Sequence, residues 1–174
     1  MNNQYIKYIR NEFPIFNKKI NGYKISYLDN AASSQMPKIS INTLKTYYES
    51  SHSNIYRGIY YLSEKNTYKF EQTRNKIKKY INAQYEQECI FTTSTTEAIN
   101  LISFTFGEKY IKENDEIIIT EMEHHSNIIP WQILCKKKNA ILKIIPMKEN
   151  GELNIKKINN LISNKTKLIC ITFV

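Results

Sequence analysis

The stretch Ile90-Phe-Thr-Thr-Ser-Thr-Thr-Glu-Ala-Ile-Asn100 decides how this chain is read. A short β-like run, Cys89-Ile-Phe-Thr92, breaks into consecutive hydroxyl residues, Thr92 to Thr96. An apolar run at helical spacing follows at once through Ala98, Ile99, Leu101, Ile102, Phe104 and Phe106. A strand that passes directly into a helix leaves the first helical N–H groups without partners. Those donors and the positive end of the helix dipole attract an anion, phosphate above all. The same letters also spell a capping box, with Ser94 as N-cap and Glu97 at the third helical position. The two readings are compatible, because a capped helix still offers hydroxyls to a ligand.

Working outward, a second polar cluster, Glu121-Met-Glu-His-His-Ser-Asn127, follows the next apolar run. Strand-like runs fall at 89–92, 116–120, 141–145 and 167–174, and helix-like runs at 95–111, 128–138 and 154–163. The runs Ile117-Ile-Ile119 and Leu168-Ile-Cys-Ile171 are almost wholly apolar, as in strands buried on both faces. The expected fold is therefore α/β: a mostly parallel sheet with helices on both faces. In such a sheet both polar clusters open at the carboxyl edge, where ligands bind. The chain stops on the apolar run 168–174 with no covering helix after it, so a domain truncated at its C-terminus is expected.

Upstream, residues 3–12 read as an amphipathic helix stopped by Pro14. Asn21-Gly22 signals a turn, and Ile25 to Leu28 reads as a short strand before the small-residue loop Asp29 to Ser34. Pro37 opens a helix to about Ser50, with proline at its favoured first position. Residues 51–61 read as a loop. Ser63 is expected to cap a basic helix to about Ile81, with Phe70, Ile77 and Ile81 on its apolar face. Its Lys69, Arg74, Lys76, Lys78 and Lys79 read as a solvated face.

Composition bounds the function. The 174 residues carry 25 Lys plus Arg against 16 Asp plus Glu, a net charge of +9. The lysines are scattered, and Lys136-Lys-Lys138 is the tight run. The chain is also rich in Ile, Asn, Lys and Tyr and holds few Gly and Pro, a skew that A- and T-rich codons produce without selection for a polyanion. Nucleic-acid binding thus rests on charge alone. No apolar run reaches membrane-spanning length, and the N-terminus lacks an export pattern. Cys89, Cys135 and Cys170 are odd in number and widely spaced, which fits neither a disulfide framework nor a zinc site. His124 and His125, being neighbours, are poor joint ligands for one metal, and no metal is expected.

Four stretches together carry a resemblance. They are Tyr27-Leu-Asp-Asn-Ala-Ala32, Arg57-Gly58 with Leu62-Ser63, Phe91 to Asn100, and Glu121-Met-Glu-His-His-Ser-Asn-Ile-Ile-Pro-Trp-Gln132. In that order they resemble the N-terminal part of the SUF-type cysteine desulfurases, pyridoxal 5'-phosphate (PLP) enzymes of the class V aminotransferase group. The resemblance implies the large domain of PLP fold type I, with 1–25 as an N-terminal helical segment and 26–174 as an incomplete PLP-binding domain. It implies that Thr95 and Thr96 hold the cofactor phosphate. His124 would stack on the pyridine ring and help proton transfer. Ala31 and Ala32 would line the substrate pocket, with Arg57 near its mouth.

The reaction implied takes sulfur from L-cysteine, giving L-alanine and a persulfide on an enzyme cysteine. The sulfur passes to an acceptor of the SufE or SufU type for iron–sulfur cluster assembly, in a cytoplasmic homodimer. The chain differs from the family pattern at Thr93-Ser94 (usually Arg-Gly), at Tyr56 and Tyr60 (usually His) and at Phe173 (usually His). The family's Schiff-base lysine, its pyridine-pairing Asp and its nucleophilic cysteine lie beyond position 174, and no His-Lys pair occurs here. The chain alone is expected to be catalytically incompetent. The alternative is a non-catalytic remnant or basic ligand-binding module.

Overall fold

The computed structural model describes residues 3–173. Met1, Asn2 and Val174, the last of which ends the 167–174 run, lie outside the described residues. The chain divides into two compact units, Met1–Cys89 and Ile90–Val174.

The second unit is built on a fully parallel sheet of order β4-β3-β5, with β3 at Glu116–Thr120, β4 at Ile141–Ile145 and β5 at Thr166–Cys170. Three successive β-branched isoleucines make β3 the central strand, since each finds a packed neighbour on whichever face it points to. Ile117, Ile118 and Ile119 are all buried. Burying each side chain contributes about 1.5–3 kcal/mol. The register sets Ile117 beside Leu142 and Leu168, and Ile119 beside Ile144 and Cys170. That face packs under Trp131, Leu134 and Cys135.

Those three residues lie on α6, Ile129–Lys138, whose buried positions recur at helical spacing. Pro130 sits in its first turn, and Asn139, at φ 54°, ends it in the left-handed conformation. Ser103–Gly107 is a single π turn between α4 (Thr95–Ile102) and α5 (Glu108–Tyr110). It brings a backbone against α6: a Cβ at Gly107 would lie 2.5 Å from Leu134 Cδ2. On the opposite sheet face, Lys143 Nζ donates to the Leu161 carbonyl at 2.8 Å, placing the end of α7, Ile158–Leu161, over that side. The expected α/β architecture with helices on both faces is present.

Glu116 ties the amino ends of the three strands. Its buried carboxylate meets Lys143 Nζ at 2.7 Å and accepts from the hydroxyls of Ser163 at 2.7 Å and Thr166 at 3.0 Å. Lys143 first, then Ser163, hold this carboxyl below its usual range.

In the first unit, α1 spans Asn3–Asn11, and a short 3-10 turn begins at Pro14. The Asn21-Gly22 signal becomes a tight hairpin between β1, Lys19–Ile20, and β2, Tyr23–Lys24, with both turn residues at positive φ. Helix α2 covers Lys38–Ser50, with Pro37 one position earlier than expected, at the N-cap. Helix α3 covers Tyr61–Tyr80. Ser63 is not its cap. The helix begins two residues earlier, and the buried Ser63 hydroxyl accepts from Gly58 N–H at 3.2 Å.

The inward face of α3 is polar, not the expected apolar stripe: Ser63 and Asn66 are buried, while Ile77 and Ile81 are exposed. Asn66 and Thr67 pin the preceding loop through Ser51, Ser53 and the Tyr56 amide. Arg74 departs from the solvated face. It stacks over Phe70 at 5.2 Å, meets Glu71 at 3.2 Å and donates to the Cys89 carbonyl.

Two expected strands are absent. Among the described residues, 25–28 and 89–92 join no β-ladder. Strand β5 ends at Cys170. As an edge strand it leaves Ile169 half exposed, so it is not buried on both faces as its composition implied.

Two outcomes follow for stability. Trp131→Ala should cost about 3–5 kcal/mol, the usual range for deleting a buried aromatic ring, read from urea unfolding. Glu116 has a folded pKa below its unfolded value of about 4.3, so its stabilisation is present above that pH and lost as pH falls through the folded pKa. The stability gap between wild type and Glu116→Gln should therefore be full at neutral pH and shrink steadily below about pH 4.

Candidate cofactor site

Ser94 caps α4 as the sequence implied, its hydroxyl accepting from Glu97 N–H at 3.2 Å. The returning arm differs from a standard capping box. Glu97 Oε2 takes the Thr93 amide and the Thr93 hydroxyl, each at 2.6 Å, instead of the N-cap amide. The Thr93 hydroxyl, then its amide, hold the Glu97 carboxyl below its ordinary range. Thr92 donates to the Ser94 carbonyl at 3.1 Å.

Of the five consecutive hydroxyls, three are thus committed within the turn. The hydroxyls of Thr95 and Thr96 remain, exposed in the first turn of α4 and without a hydrogen-bond partner among the described residues. Their amides are among the orphan donors of the helix start. An acceptor-rich dianion fits this donor set. The nearby Glu97 charge opposes it and makes the hydroxyls matter more than the dipole.

His124 lies just beyond the carboxyl end of β3, at the N-cap of a 3-10 turn, His125–Asn127. That turn packs against α4, the helix whose first turn carries Thr95 and Thr96. The exposed ring accepts at Nδ1 from Ser126 N–H at 3.2 Å, with Ser126 Oγ at 2.9 Å. Acceptance from an amide leaves Nδ1 without a proton, so the neutral ring carries its proton on Nε2. His125 stands 6.1 Å away and steeply inclined, so the pair does not converge on one point. Among the described residues no three His, Cys, Asp or Glu side chains gather as metal ligands.

The other candidates belong to the first unit. Ala31 and Ala32 are exposed in a turn closed by Ser33 N–H on the Asp29 carbonyl at 3.1 Å, and braced by the Tyr27 hydroxyl on the Asp29 and Ser33 carbonyls. Arg57 is exposed. Its neighbours are fixed: Tyr56, at φ 67°, donates from its amide to Thr67 at 2.9 Å and from its hydroxyl to Glu71. Gly58 has no room for a side chain, since a Cβ would meet Ser63 Oγ at 2.6 Å. The tyrosine standing where the family carries histidine is therefore a brace for this loop.

The thiols are sequestered. Cys89 and Cys135 are buried, and burial pushes the Cys135 thiol up. Burial first, then Glu123 and Cys135, push Cys170 up to about 12. The tight basic run is also engaged in part, as Lys137 and Lys138 each meet Glu108 at 2.9 Å. No described helix is long and apolar enough to cross a membrane. Glu123, Ser126 and Asn127 were visible in sequence only as members of a polar cluster. Nothing in their spacing announced that Glu123 is buried.

Known proteins resemble this chain in sequence and in fold. A cysteine desulfurase of Wigglesworthia glossinidia brevipalpis is 48% identical over 169 residues, 97% of this chain and 41% of the relative. A probable cysteine desulfurase of Staphylococcus aureus (strain Mu50) is 46% identical over 163 residues, 94% of this chain and 40% of the relative. The apo structure of a cysteine desulfurase from Thermococcus onnurineus NA1 superposes with a TM-score of 0.84 at 32% identity, covering 95% of this chain and 39% of that one. The chain thus spans about 40% of the length of the relatives it matches. With the class-V aminotransferase family matching residues 26–174, the chain belongs to that family.

Proposed function

We propose that this chain supplies the N-terminal portion of a PLP pocket of the SUF-type cysteine desulfurase kind, with residues 26–174 forming part of the large domain and 1–25 an N-terminal helical segment. The observation that carries this reading is the pair of unengaged hydroxyls at Thr95 and Thr96, on the helix against which the turn after His124 packs. These residues would hold the cofactor phosphate by neutral donors. His124, its Nδ1 occupied by Ser126, would present Nε2 to the ring and to a proton in transit. When bound, PLP supplies an electron sink for the bonds of an amino-acid substrate. Ala31, Ala32 and Arg57 are assigned to the L-cysteine side of the pocket by their place in the family motifs.

The whole activity proposed is conversion of L-cysteine to L-alanine with a persulfide on an enzyme cysteine. The sulfur would pass to a SufE-type or SufU-type acceptor, within a cytoplasmic homodimer serving iron–sulfur cluster assembly. These 174 residues do not perform it alone in this reading. They contain no His-Lys pair, and the three thiols are buried or held protonated, where a thiol is a poor nucleophile. The alternative is a non-catalytic chain that binds a phosphorylated ligand through the same helix start.

The phosphate claim is tested by calorimetry with pyridoxine 5'-phosphate and pyridoxine, neither of which forms a Schiff base with lysines. The phosphorylated form should bind more tightly. Thr95→Val and Thr96→Val should each weaken it about ten-fold or more, the loss of a hydrogen bond to a charged group. Equal binding of the two forms sinks the reading. The incompetence claim is tested by mixing the chain with PLP and L-cysteine: alanine should form no faster than with PLP alone.

A further inference from the structure

Glu123 stands immediately before His124 and is buried, with 8% of its surface exposed. Among the described residues no cation pairs with it. Neutral donors surround it instead: Thr120 hydroxyl at 2.6 Å and Asn127 Nδ2 at 2.7 Å, with the Thr172 amide bridging both carboxylate oxygens at 2.9 and 3.0 Å. A buried carboxylate without a counter-ion costs more than a paired one, so its retention calls for a reason. At the other end of the same strand, Glu116 has Lys143. The two carboxylates differ in kind, and only the unpaired one adjoins the proposed site.

The hydrogen-bond directions fix what position 123 must be. Trp131 Nε1–H can only donate, and it donates to Asn127 Oδ1 at 2.9 Å. That orients the Asn127 amide with Nδ2 toward residue 123, which must therefore accept. The Thr172 amide can likewise only donate. An acceptor on both oxygens is a carboxylate. Glutamine would set its own NH2 against a donor in either orientation.

We propose that Glu123 is a positioning residue for His124, clamping the end of β3, the turn that opens α6 and the segment leaving β5 so that the imidazole is presented in one tautomer. This rests on the role given to His124 above. The clamp fixes the backbone on the N-terminal side of the histidine. Ser126 N–H then fills Nδ1 from the C-terminal side. The chain after Cys170, which no longer pairs as strand, is held at the same sheet edge through Thr172.

The test is nitrogen NMR of the imidazoles in the 174-residue chain, with His52 and His125 as internal references. In wild type His124 should carry its proton on Nε2. In Glu123→Gln the tautomer ratio of His124 should shift about five-fold toward Nδ1–H, the worth of one neutral hydrogen bond. Glu116→Gln should lower stability yet leave the His124 signals in place. Slow amide exchange at Ile117 to Ile119 certifies the fold of each variant. Should Glu123→Gln not fold, Thr120→Val removes one donor from the clamp and should move His124 in the same direction.

Unchanged His124 signals in a folded clamp variant, or an equal change in Glu116→Gln, overturn the proposal. Pyridoxine 5'-phosphate binding to wild type reports separately on the cofactor reading. If the ligand fails to bind while His124 responds, that reading falls and the clamp stands. If it binds while His124 is unmoved, the clamp alone falls.

Discussion

The second unit depends on the burial of Ile117, Ile118 and Ile119 between two parallel neighbours. Because side chains alternate across a strand, three consecutive isoleucines demand apolar cover on both faces. Parallel pairing then forces each return connection across a face, which is why α6 lies over Ile117 and Ile119. The same arrangement sends the carboxyl ends of β3, β4 and β5 to one edge. The His124 turn is at that edge, and α4 is packed against it.

The polar groups at the two ends of β3 divide the labour. Glu116 joins strand starts through a cation and hydroxyls and sits away from the candidate site. Glu123 joins strand ends through neutral donors only. Burial first, and then the neighbouring Glu123, push the Cys170 thiol up. The site edge is thus organised by a group that burial alone would disfavour, as is common where geometry serves a ligand more than stability.

The candidate phosphate cradle is plainer than its composition implied. Thr92, Thr93 and Ser94 spend their hydrogen bonds on closing the turn, which leaves the Thr95 and Thr96 hydroxyls unengaged among the described residues. Thr93 occupies a place where the family carries arginine, and here it serves Glu97. In the first unit, Tyr56 replaces a family histidine and braces the Arg57 loop on α3. Both departures are structural substitutions with identifiable partners.

Much of this was legible in the residues themselves. The strands 116–120 and 141–145, helix α6, the Asn21-Gly22 hairpin turn and the Ser94 cap follow from local patterns, because periodicity, turn chemistry and capping act over a few residues. The parallel α/β class followed from isoleucine runs alternating with helices. What needed the tertiary structure was every property that belongs to a pair of distant segments. Residues 25–28 and 89–92 have strand composition but, among the described residues, no strand beside them to complete a ladder. The inward face of α3 is polar because the loop before it needs donors and acceptors. Glu123 reads as one more acidic residue until the chain after β5 returns, 49 positions later, to donate an amide to it. Local patterns encode the elements, whereas burial and hydrogen-bond direction are set only when remote segments meet.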